Sequence, residues 1–398
     1  MDWPSLAREK REGIIALSDP EEFELAMHEL VRSLKSSHTG FFHRSVRRVP
    51  GRLAIGASFR RIDGASGPRW MVLEVHEGGP AHAAGLVPLD IVVAINGKPV
   101  VPPEQPMFPM GTTVAMTIEK AAGTRQEISL VIPTPRSRKQ PYSEPQSVKA
   151  ETLSDSIGYM KVTIFPGLLG IDVSRELDAA VKSLSDCTRL ILDLRGHLGG
   201  GLGVLRLMSY LTPGKIPIGY TVTRRKAETG YDKERLPRLG RLPSSKLFGI
   251  PAMALKYIGR DPSVVLISEG LGPQPWHGRI VILVNENTVS AGEMACGFAR
   301  ENNLARIVGT ETAGRLMAGS AYKAGEGYLV IMPKAAYITW QGNTYEGHGI
   351  VPDVNVPWSP DAYREGRDNQ LEAAIQVADD MAPERPRSRA AGGHENPE

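Results

Sequence analysis

The spacing of hydrophobic and polar positions changes along the chain and separates regions of different structure. Apolar residues at helical spacing follow Asp19-Pro20-Glu21-Glu22, which offers an N-cap, a proline at the first helical position and early acidic residues. This pattern predicts a packed helix that ends at Ser36-Ser37-His38-Thr39-Gly40, where the periodicity stops. We assign residues 1–48 to an N-terminal helical segment. A histidine directly after a packed helix would be held in place, and a structural or surface role remains open.

The next region has the pattern of short strands and turns. Alternating runs between about residues 52 and 133 are interrupted by one predicted short helix at Pro80–Gly85. We assign residues 50–135 to a second domain. The polar, proline-bearing residues 136–153 are predicted to form a linker.

Unbroken apolar runs, which are typical of strands buried on both faces, predict a third region with a large core. These runs are Ile157–Val162, Leu190–Leu194, Ile280–Val284 and Leu304–Val308. Helices are predicted over 172–185, 202–211, 289–303 and 367–380, and further strands over Tyr328–Met332 and Ala336–Trp340. We therefore expect an α/β (α+β) domain over residues 154–380, followed by a disordered tail over 381–398.

Ser290 lies where a core strand is predicted to turn into a helix. The free N–H groups of a first helical turn can stabilise negative charge on a substrate carbonyl, which suits a nucleophilic serine. Ser290 and Glu293 also fit the S-x-x-E capping box, which only satisfies backbone donors. Ser290 alone leaves both interpretations open.

A second candidate feature is the glycine-rich stretch GHLGGG at residues 196–201, directly after the predicted strand Leu190–Leu194. Glycines after a strand let backbone N–H groups face a ligand without an intervening side chain. The stretch lacks the G-x-G-x-x-G order of dinucleotide-binding turns, so an oxyanion-binding turn fits better.

Composition narrows the classes of function. The hydrophobic and charged fractions, 41% and 23%, are those of a soluble globular protein, and the net charge of +3 predicts no nucleic-acid or membrane partner. The segment 224–246 is locally rich in basic residues, and we interpret it either as a solvated surface segment or as a rim that guides substrate.

Cys187 and Cys296 lie in apolar segments and form no disulfide framework. The charged N-terminus lacks the apolar core of a signal peptide and no run has membrane-spanning length, so we expect a cytoplasmic protein. No histidine spacing predicts a metal site, and no cofactor is expected.

The separated motifs, in their order, resemble the tail-specific or carboxyl-terminal processing protease family. These serine peptidases carry a PDZ domain beside a crotonase- and ClpP-like core. The motifs are SSHTG, GGPAHAAGLVPLDIVVAINGKPV, LILDLRGHLGG, NENTVSAGEMACG, GTETAGR, EGHGIVPD and GRDNQLEAAI, and they span nearly the whole chain. The resemblance implies a crotonase/ClpP-like ββα protease core with an inserted PDZ domain.

PDZ domains bind an extended peptide C-terminus as an added strand and hold its carboxylate with backbone N–H groups. By the resemblance, the carboxylate loop would comprise Ala54, Ile55, Gly56 and Ala57, and the groove helix would be Ala81–Ala84. The expected partner is a peptide or protein with a free C-terminus. A PDZ fold with a closed groove, used only as a lid, is the alternative.

The chain departs from the Ser/Lys branch of this family at one decisive position. The lysine that serves there as general base is replaced by Arg315, which stays protonated and cannot accept the serine proton. A second branch, typified by the tricorn core protease, uses a histidine preceded by serine and a carboxylate just before a G-V-x-P-D segment. Ser37-His38 and Glu346, which precedes Gly349–Asp353, match that pattern.

The resemblance thus implies a complete set of roles. Ser290 would be the nucleophile, His38 its general base, and Glu346 would act on His38 through the Ser37 hydroxyl. The oxyanion would face the N–H of Ala291 and that of Gly199 or Gly200. A catalytically inactive peptide-binding scaffold and a hydrolase of small esters or lactones are the alternatives, and the sequence leaves a homo-oligomer open.

Overall fold

The computed structural model describes residues 2–43, 48–64, 67–76, 78–134, 147–243, 251 and 261–381. Its N-terminal part comprises α1 (Trp3–Ile15), α2 (Pro20–Arg32) and strand β1 (Gly40–His43). Helix α2 is the predicted one. Helix α1 was not predicted, because Ile14 is its one buried residue and the sequence shows no apolar face. The indole N–H of Trp3 donates to the Leu30 carbonyl at 3.1 Å and holds α1 against α2.

The second region is a PDZ-like antiparallel sheet in the order β3-β4-β5-β8-β9, with β6 beside β5. Its core is formed by fully buried side chains such as Ile55, Val72, Met116 and Leu130. Its strands are β3 (Ala57–Gly64), β4 (Gly67–Val75), β5 (Ile91–Ile95), β6 (Lys98–Pro99), β8 (Thr113–Glu119) and β9 (Arg125–Val131). Helices α3 (Gly51–Ala54) and α4 (Pro80–Ala83) and the small antiparallel pair β2 (Arg48–Pro50) and β7 (Met107–Pro109) complete it.

The third region is built on a sheet in the order β10-β11-β12-β16-β17-β20, which is parallel except for the pair β10 and β11. Its strands are β10 (Val148–Ser154), β11 (Ile157–Val162), β12 (Arg189–Asp193), β16 (Ile280–Val284), β17 (Arg306–Gly309) and β20 (Val354–Asn355). One face packs on α5 (Ile171–Ser183), α6 (Val204–Leu211) and α8 (Ala291–Glu301), and the other on α10 (Asn369–Asp380). Residues of β16 on both faces are fully buried, as the apolar run predicts.

A second mixed sheet lies beside this core, in the order β1-β19-β13-β15-β14 with β18 on β19. Its later strands are β13 (Pro217–Thr223), β14 (Arg238–Leu239), β15 (Val265–Ile267), β18 (Met317–Gly325) and β19 (Tyr328–Thr339). The shorter helices are α7 (Arg224–Thr229), a 3-10 turn at Lys233–Arg235, and α9 (Pro360–Arg364). The basic segment is largely exposed where it is described.

Two sequence predictions need correction here. The strands predicted over Tyr328–Met332 and Ala336–Trp340 are one strand, because Pro333 lies opposite an irregularity between Ala318 and Gly319, where its missing N–H is tolerated. The linker predicted over 136–153 is wrong from Val148 onward, since Val148–Ser154 pairs with β11. This strand looked like a linker because it is an exposed edge in which only Val148 is buried.

Some predictions fall outside the described residues. These are the predicted linker over 136–146 and the predicted disordered tail over 382–398, for which the structure gives no description. Within the described ranges, no helix combines the length and apolarity needed to cross a bilayer.

Candidate active site

Ser290 occupies a strained turn between the buried strand β16 and helix α8. Its backbone has φ of 55° and ψ of −113°. An ordinary N-cap residue is extended, whereas a non-glycine residue at positive φ costs about 1–3 kcal/mol and recurs at functional sites. The backbone thus departs from that of an ordinary N-cap, while the bond from the Ser290 N–H to Glu293 keeps the capping-box contact.

Glu293 ties the turn at Ser290 to a loop about twenty residues later. Its carboxylate is fully buried, and Oε2 accepts the N–H of Ser290 at 3.0 Å and that of Arg315 at 2.9 Å. Oε1 accepts the N–H of Gly314 at 2.6 Å and the Thr312 hydroxyl at 2.7 Å. The sequence showed Glu293 only as a capping residue, because the other donors come from a distant part of the chain.

Ser37, His38 and Glu346 form a hydrogen-bonded relay. The Ser37 hydroxyl lies 2.8 Å from His38 Nδ1 and donates to Glu346 Oε2 at 2.7 Å. Because the hydroxyl proton goes to Glu346, the network assigns the proton of neutral His38 to Nδ1 and leaves Nε2 as an acceptor. This is the tautomer that a general base requires.

Adjacent residues join this relay to the serine turn. The N–H of Leu316 donates to Glu346 Oε2 at 2.9 Å, while the N–H of the preceding Arg315 donates to Glu293. The carboxylate that holds Ser37 and the carboxylate that holds Ser290 are therefore bonded to neighbouring backbone groups. The fold brings together residues from the start, middle and end of the chain.

Two glycines allow close packing around the side chains of Ser290 and His38. A Cβ atom on Gly199, which has φ of +80°, would lie 3.2 Å from Ser290 Oγ, and one on Gly319 would lie 3.0 Å from His38 Cβ. The glycine-rich turn therefore contacts the Ser290 side chain, and β18 passes directly beside His38. A larger residue at Gly199 would displace the Ser290 side chain, and one at Gly319 would displace the His38 side chain.

The electrostatic environment favours the neutral form of His38. Burial is the main cause that lowers the pKa of His38 from 6.5, Glu346 acts in the opposite direction, and Arg315 lowers the pKa further. Arg315 itself is exposed. Arg315 thus acts on the histidine as a neighbouring positive charge.

The loop before Ser290 is fastened to the turn that follows β12. Asn285 Oδ1 accepts the N–H of Gly196 at 2.9 Å, and Thr288 donates its hydroxyl to the Leu194 carbonyl at 2.8 Å. The N–H of Val289 donates to the His197 carbonyl at 3.0 Å. These bonds set the position of the predicted oxyanion residues relative to Ser290.

The candidate oxyanion residues have different surroundings. Ala291 is the buried first residue of α8, Gly199 is buried, and Gly200 is exposed. The N–H of Gly199 donates to His197 Nδ1 at 2.9 Å. Among the described residues, the N–H groups of Ala291 and Gly200 donate to no other group.

The PDZ-like domain rests against these same loops through ion pairs that the sequence did not reveal. Glu74 on β4 pairs with the buried Arg52 and, at 2.7 Å, with Lys161 on β11. Burial alone would raise the pKa of Glu74, but these two cations hold it well below 4.5. A Cβ on Gly196 would lie 3.0 Å from the Arg52 guanidinium, so the contact reaches the start of the glycine-rich turn.

The predicted peptide-binding residues Ile55, Gly56 and Ala57 are all buried. Ile55 uses both backbone groups, donating to Gly51 and accepting from Ala81 at the start of α4. The bond from the His76 N–H to the Gly56 carbonyl makes Ala57 and Val75 a non-hydrogen-bonded pair, so the Ala57 N–H points away from β4. Gly51 of α3 packs on this side, since a Cβ atom there would lie 2.9 Å from the Ala57 carbonyl oxygen. Phe108 of β7 is fully buried, and its ring centroid lies 6.3 Å from that of Phe59 on β3.

Groups of three or more histidine, cysteine, aspartate or glutamate side chains placed to hold a metal ion do not occur among the described residues.

A strained serine at a strand-to-helix turn, a histidine held by a serine and a glutamate, and an α/β core with a PDZ-like domain define the fold class of the PDZ-containing serine peptidases. The model of peptidase family S41 matches residues 156–356, and the chain belongs to this family. A PDZ domain model matches residues 71–106. The fold class and family predicted from the motifs are confirmed.

Relatives by sequence come from two groups. The chain is 23% identical to tricorn protease homolog 2 of Streptomyces coelicolor over 95% of this chain and 30% of that protein. It is 25% identical to a CtpA-like serine protease of Staphylococcus haemolyticus over 84% of this chain and 60% of that protein. The chain thus spans 30% of the length of the first relative and 60% of the length of the second.

Solved structures show the same fold. The photosystem II D1 C-terminal processing protease matches with a TM-score of 0.54 and 19% identity, covering 96% of both chains. Mature CPAF matches with a TM-score of 0.56 and 14% identity, covering 95% of this chain and 91% of that structure. At 19% and 14% sequence identity, these similarities show the fold alone.

Proposed function

We propose that this chain is a serine peptidase in which Ser290 is the nucleophile and His38 the general base. The observation that carries the proposal is the relay from Glu346 through Ser37 to Nδ1 of His38, which leaves Nε2 free to accept a proton. Membership of peptidase family S41 supports it, as does the strained backbone of Ser290.

The reaction follows ordinary acyl-transfer chemistry. Ser290 Oγ forms a bond to the carbonyl carbon of the scissile peptide while its proton passes to His38 Nε2. When the tetrahedral intermediate collapses, the C–N bond breaks and His38 returns the proton to the leaving amine, which leaves the acyl group on Ser290. In the second half of the reaction His38 takes a proton from water, whose oxygen bonds to the acyl carbon, and returns that proton to Ser290 Oγ as the ester bond breaks and the acid product leaves. Glu346 stabilises the imidazolium through Ser37.

The charge that develops on the carbonyl oxygen needs donors next to Ser290. We assign this role to the N–H of Ala291 and to a glycine of the turn at Gly199 and Gly200, because the turn contacts the Ser290 side chain. A donor of this kind contributes about 3–4 kcal/mol to transition-state stabilisation.

Labelling by a fluorophosphonate tests the nucleophile. Wild-type protein is expected to react at pH 8 and to cleave unstructured peptides, and Ser290→Ala is expected to do neither. Ser320→Ala, a half-buried serine on β18, is the matched control and should retain both. An unlabelled wild-type protein that still binds peptides would establish the scaffold alternative, and turnover of small esters without peptide cleavage would establish the ester hydrolase.

The PDZ-like domain is proposed to bind the free C-terminus of a peptide or protein substrate. The support is the match of a PDZ domain model to residues 71–106 and the position of β3 as the end strand of its sheet, where an added strand would bind. Fluorescence anisotropy on Ser290→Ala with a peptide bearing a free or an amidated C-terminus tests this. Weaker binding of the amide is expected, and equal affinity would leave the domain as a closed module.

The cytoplasmic location remains part of the proposal. Its support is that Cys187 and Cys296 are both buried free thiols, which a reducing compartment would preserve. Cell fractionation tests it, and recovery of the protein outside the cytoplasm would contradict it. A homo-oligomer is a separate prediction, and analytical ultracentrifugation would determine the number of chains in the particle.

A further inference from the structure

His197 is a fully buried residue that links the two sides of the candidate site. Its carbonyl accepts the N–H of Val289, the residue before Ser290, at 3.0 Å. Its imidazole Nδ1 accepts the N–H of Gly199 at 2.9 Å. A Cβ on Gly292, in the first turn of α8, would lie 2.9 Å from the same nitrogen. The side chain therefore lies between the glycine-rich turn and the helix that follows Ser290.

The bond to His197 decides which glycine can serve the oxyanion. A backbone N–H has one proton, and that of Gly199 is already donated to a buried acceptor. The next peptide is oriented by Phe165, whose N–H donates to the Gly199 carbonyl at 3.0 Å and whose carbonyl accepts the N–H of Gly201 at 2.9 Å. In this parallel bridge the N–H of Gly200 points away from Phe165, and Gly200 is exposed.

We propose that His197 is a positioning residue, which binds the Gly199 N–H through Nδ1 and thereby orients the Gly200 N–H as the oxyanion donor opposite Ala291. The role requires a neutral ring with its proton on Nε2, since an acceptor nitrogen cannot carry one. It also accounts for the packing of Phe165, whose ring centroid lies 4.9 Å from that of His197. The inference rests on the proposed peptidase function.

Three substitutions separate the acceptor from the packing. His197→Asn keeps an acceptor at the same number of bonds from Cα, His197→Gln moves the acceptor one bond farther, and His197→Leu removes it. Thermal unfolding of each variant establishes that it is folded. The readouts are kcat and KM for a peptide and the rate of fluorophosphonate labelling, whose phosphoryl oxygen needs the same donors.

The expected result is a loss in kcat of about tenfold to a hundredfold for His197→Leu and His197→Gln, with KM unchanged, because the misdirected donor acts only in the transition state. His197→Asn should retain most of kcat. Wild-type kcat in His197→Leu, or an equal loss in His197→Asn, would overturn the inference. An increase in His197→Leu would instead identify Gly199 as the donor that His197 restrains.

The outcome for the wild-type protein keeps the two proposals apart. A labelled, active wild type whose His197 variants behave alike refutes the role of His197 and leaves the peptidase intact. An unlabelled wild type refutes the peptidase, and the inference with it. Should His197→Leu fail to fold, the comparison of His197→Gln with His197→Asn carries the same test.

Discussion

The Glu346 carboxylate binds both the backbone N–H and the side-chain hydroxyl of Ser37. Its Oε1 accepts the Ser37 N–H at 2.6 Å and its Oε2 accepts the Ser37 hydroxyl at 2.7 Å. Because the two bonds fix the backbone and the side chain of one residue, the Ser37 oxygen is held in place to accept from His38 Nδ1. A serine that would otherwise rotate freely thus becomes a rigid connection between a carboxylate and an imidazole.

His38→Ala is expected to lower kcat/KM by about a hundredfold to ten-thousandfold, the usual contribution of a general base. Arg315→Ala should retain a measurable fraction of the wild-type rate, because its guanidinium cannot accept a proton. Steady-state peptide hydrolysis at pH 8 checks both. A larger loss in Arg315→Ala than in His38→Ala would place the proton transfer elsewhere.

Arg315→Gln and Glu346→Gln should move the acidic limb of the pH profile of kcat/KM in opposite directions. The rate rises as His38 loses its proton. Arg315 lowers the pKa of His38 and Glu346 raises it, so loss of Arg315 shifts the limb to higher pH and loss of Glu346 to lower pH. Arg364→Gln, an exposed arginine on α9, is the control that should leave the profile unchanged. Shifts of the same sign in both variants would contradict the assignment of His38 as the base.

Ser37→Ala should lower kcat by about tenfold to a hundredfold with little change in KM, because His38 loses its orientation while remaining titratable. Ser36→Ala is a close comparison, since the Ser36 hydroxyl lies 3.4 Å from Glu346 and does not contact the imidazole. We expect the Ser36 variant to remain near the wild-type rate. Equal losses in the two variants would argue against a relay through Ser37.

Glu293→Gln should reduce the free energy of unfolding by about 1–3 kcal/mol and also lower activity. The amide that replaces one carboxylate oxygen is itself a donor and would face the N–H groups of Ser290 and Arg315, or those of Gly314 and the Thr312 hydroxyl. Urea unfolding followed by circular dichroism measures the change, with the exposed Glu311→Gln as control. An unchanged midpoint would show that the turn is held by other contacts.

Lys161→Met should weaken the attachment of the PDZ-like domain to the core. Glu74 would keep Arg52 but lose a partner at 2.7 Å, and a reduction of about 1–2 kcal/mol in the free energy of unfolding is expected. The matched control is Lys149→Met, since Lys149 faces Lys161 across the strand pair and is largely exposed.

The same contact has a defined pH dependence. The pKa of Glu74 in the folded protein lies well below 4.5, so its stabilising contribution is present above that value and is lost as the pH falls through the lowered pKa. Lys161→Met should therefore show a smaller loss of stability on acidification than the wild-type protein. An identical acid dependence in both would indicate that Arg52 alone determines the pKa.

Much of the fold follows from local pattern. The apolar run Ile280–Val284 predicted a strand because burial on both faces requires consecutive apolar residues, and the stretch after Ser290 predicted a helix because burial of one face leaves a helical period. Elements with little buried surface, such as α1 and β10, were missed for the same reason. The candidate residues of the site came from motif order, and their joint role remains a proposal for experiment.

The sequence by itself determined the periods, the turn residues and the identities of Ser37, His38, Ser290 and Glu346, because each of these is a property of a short stretch. Only the tertiary structure decided that Arg315 and Leu316 donate to Glu293 and Glu346, that Arg52, Glu74 and Lys161 join two domains, and that His197 occupies the Gly199 N–H. Hydrogen bonds and ion pairs between distant segments leave no periodic signal in the chain. They depend on which loops the packed sheets bring side by side.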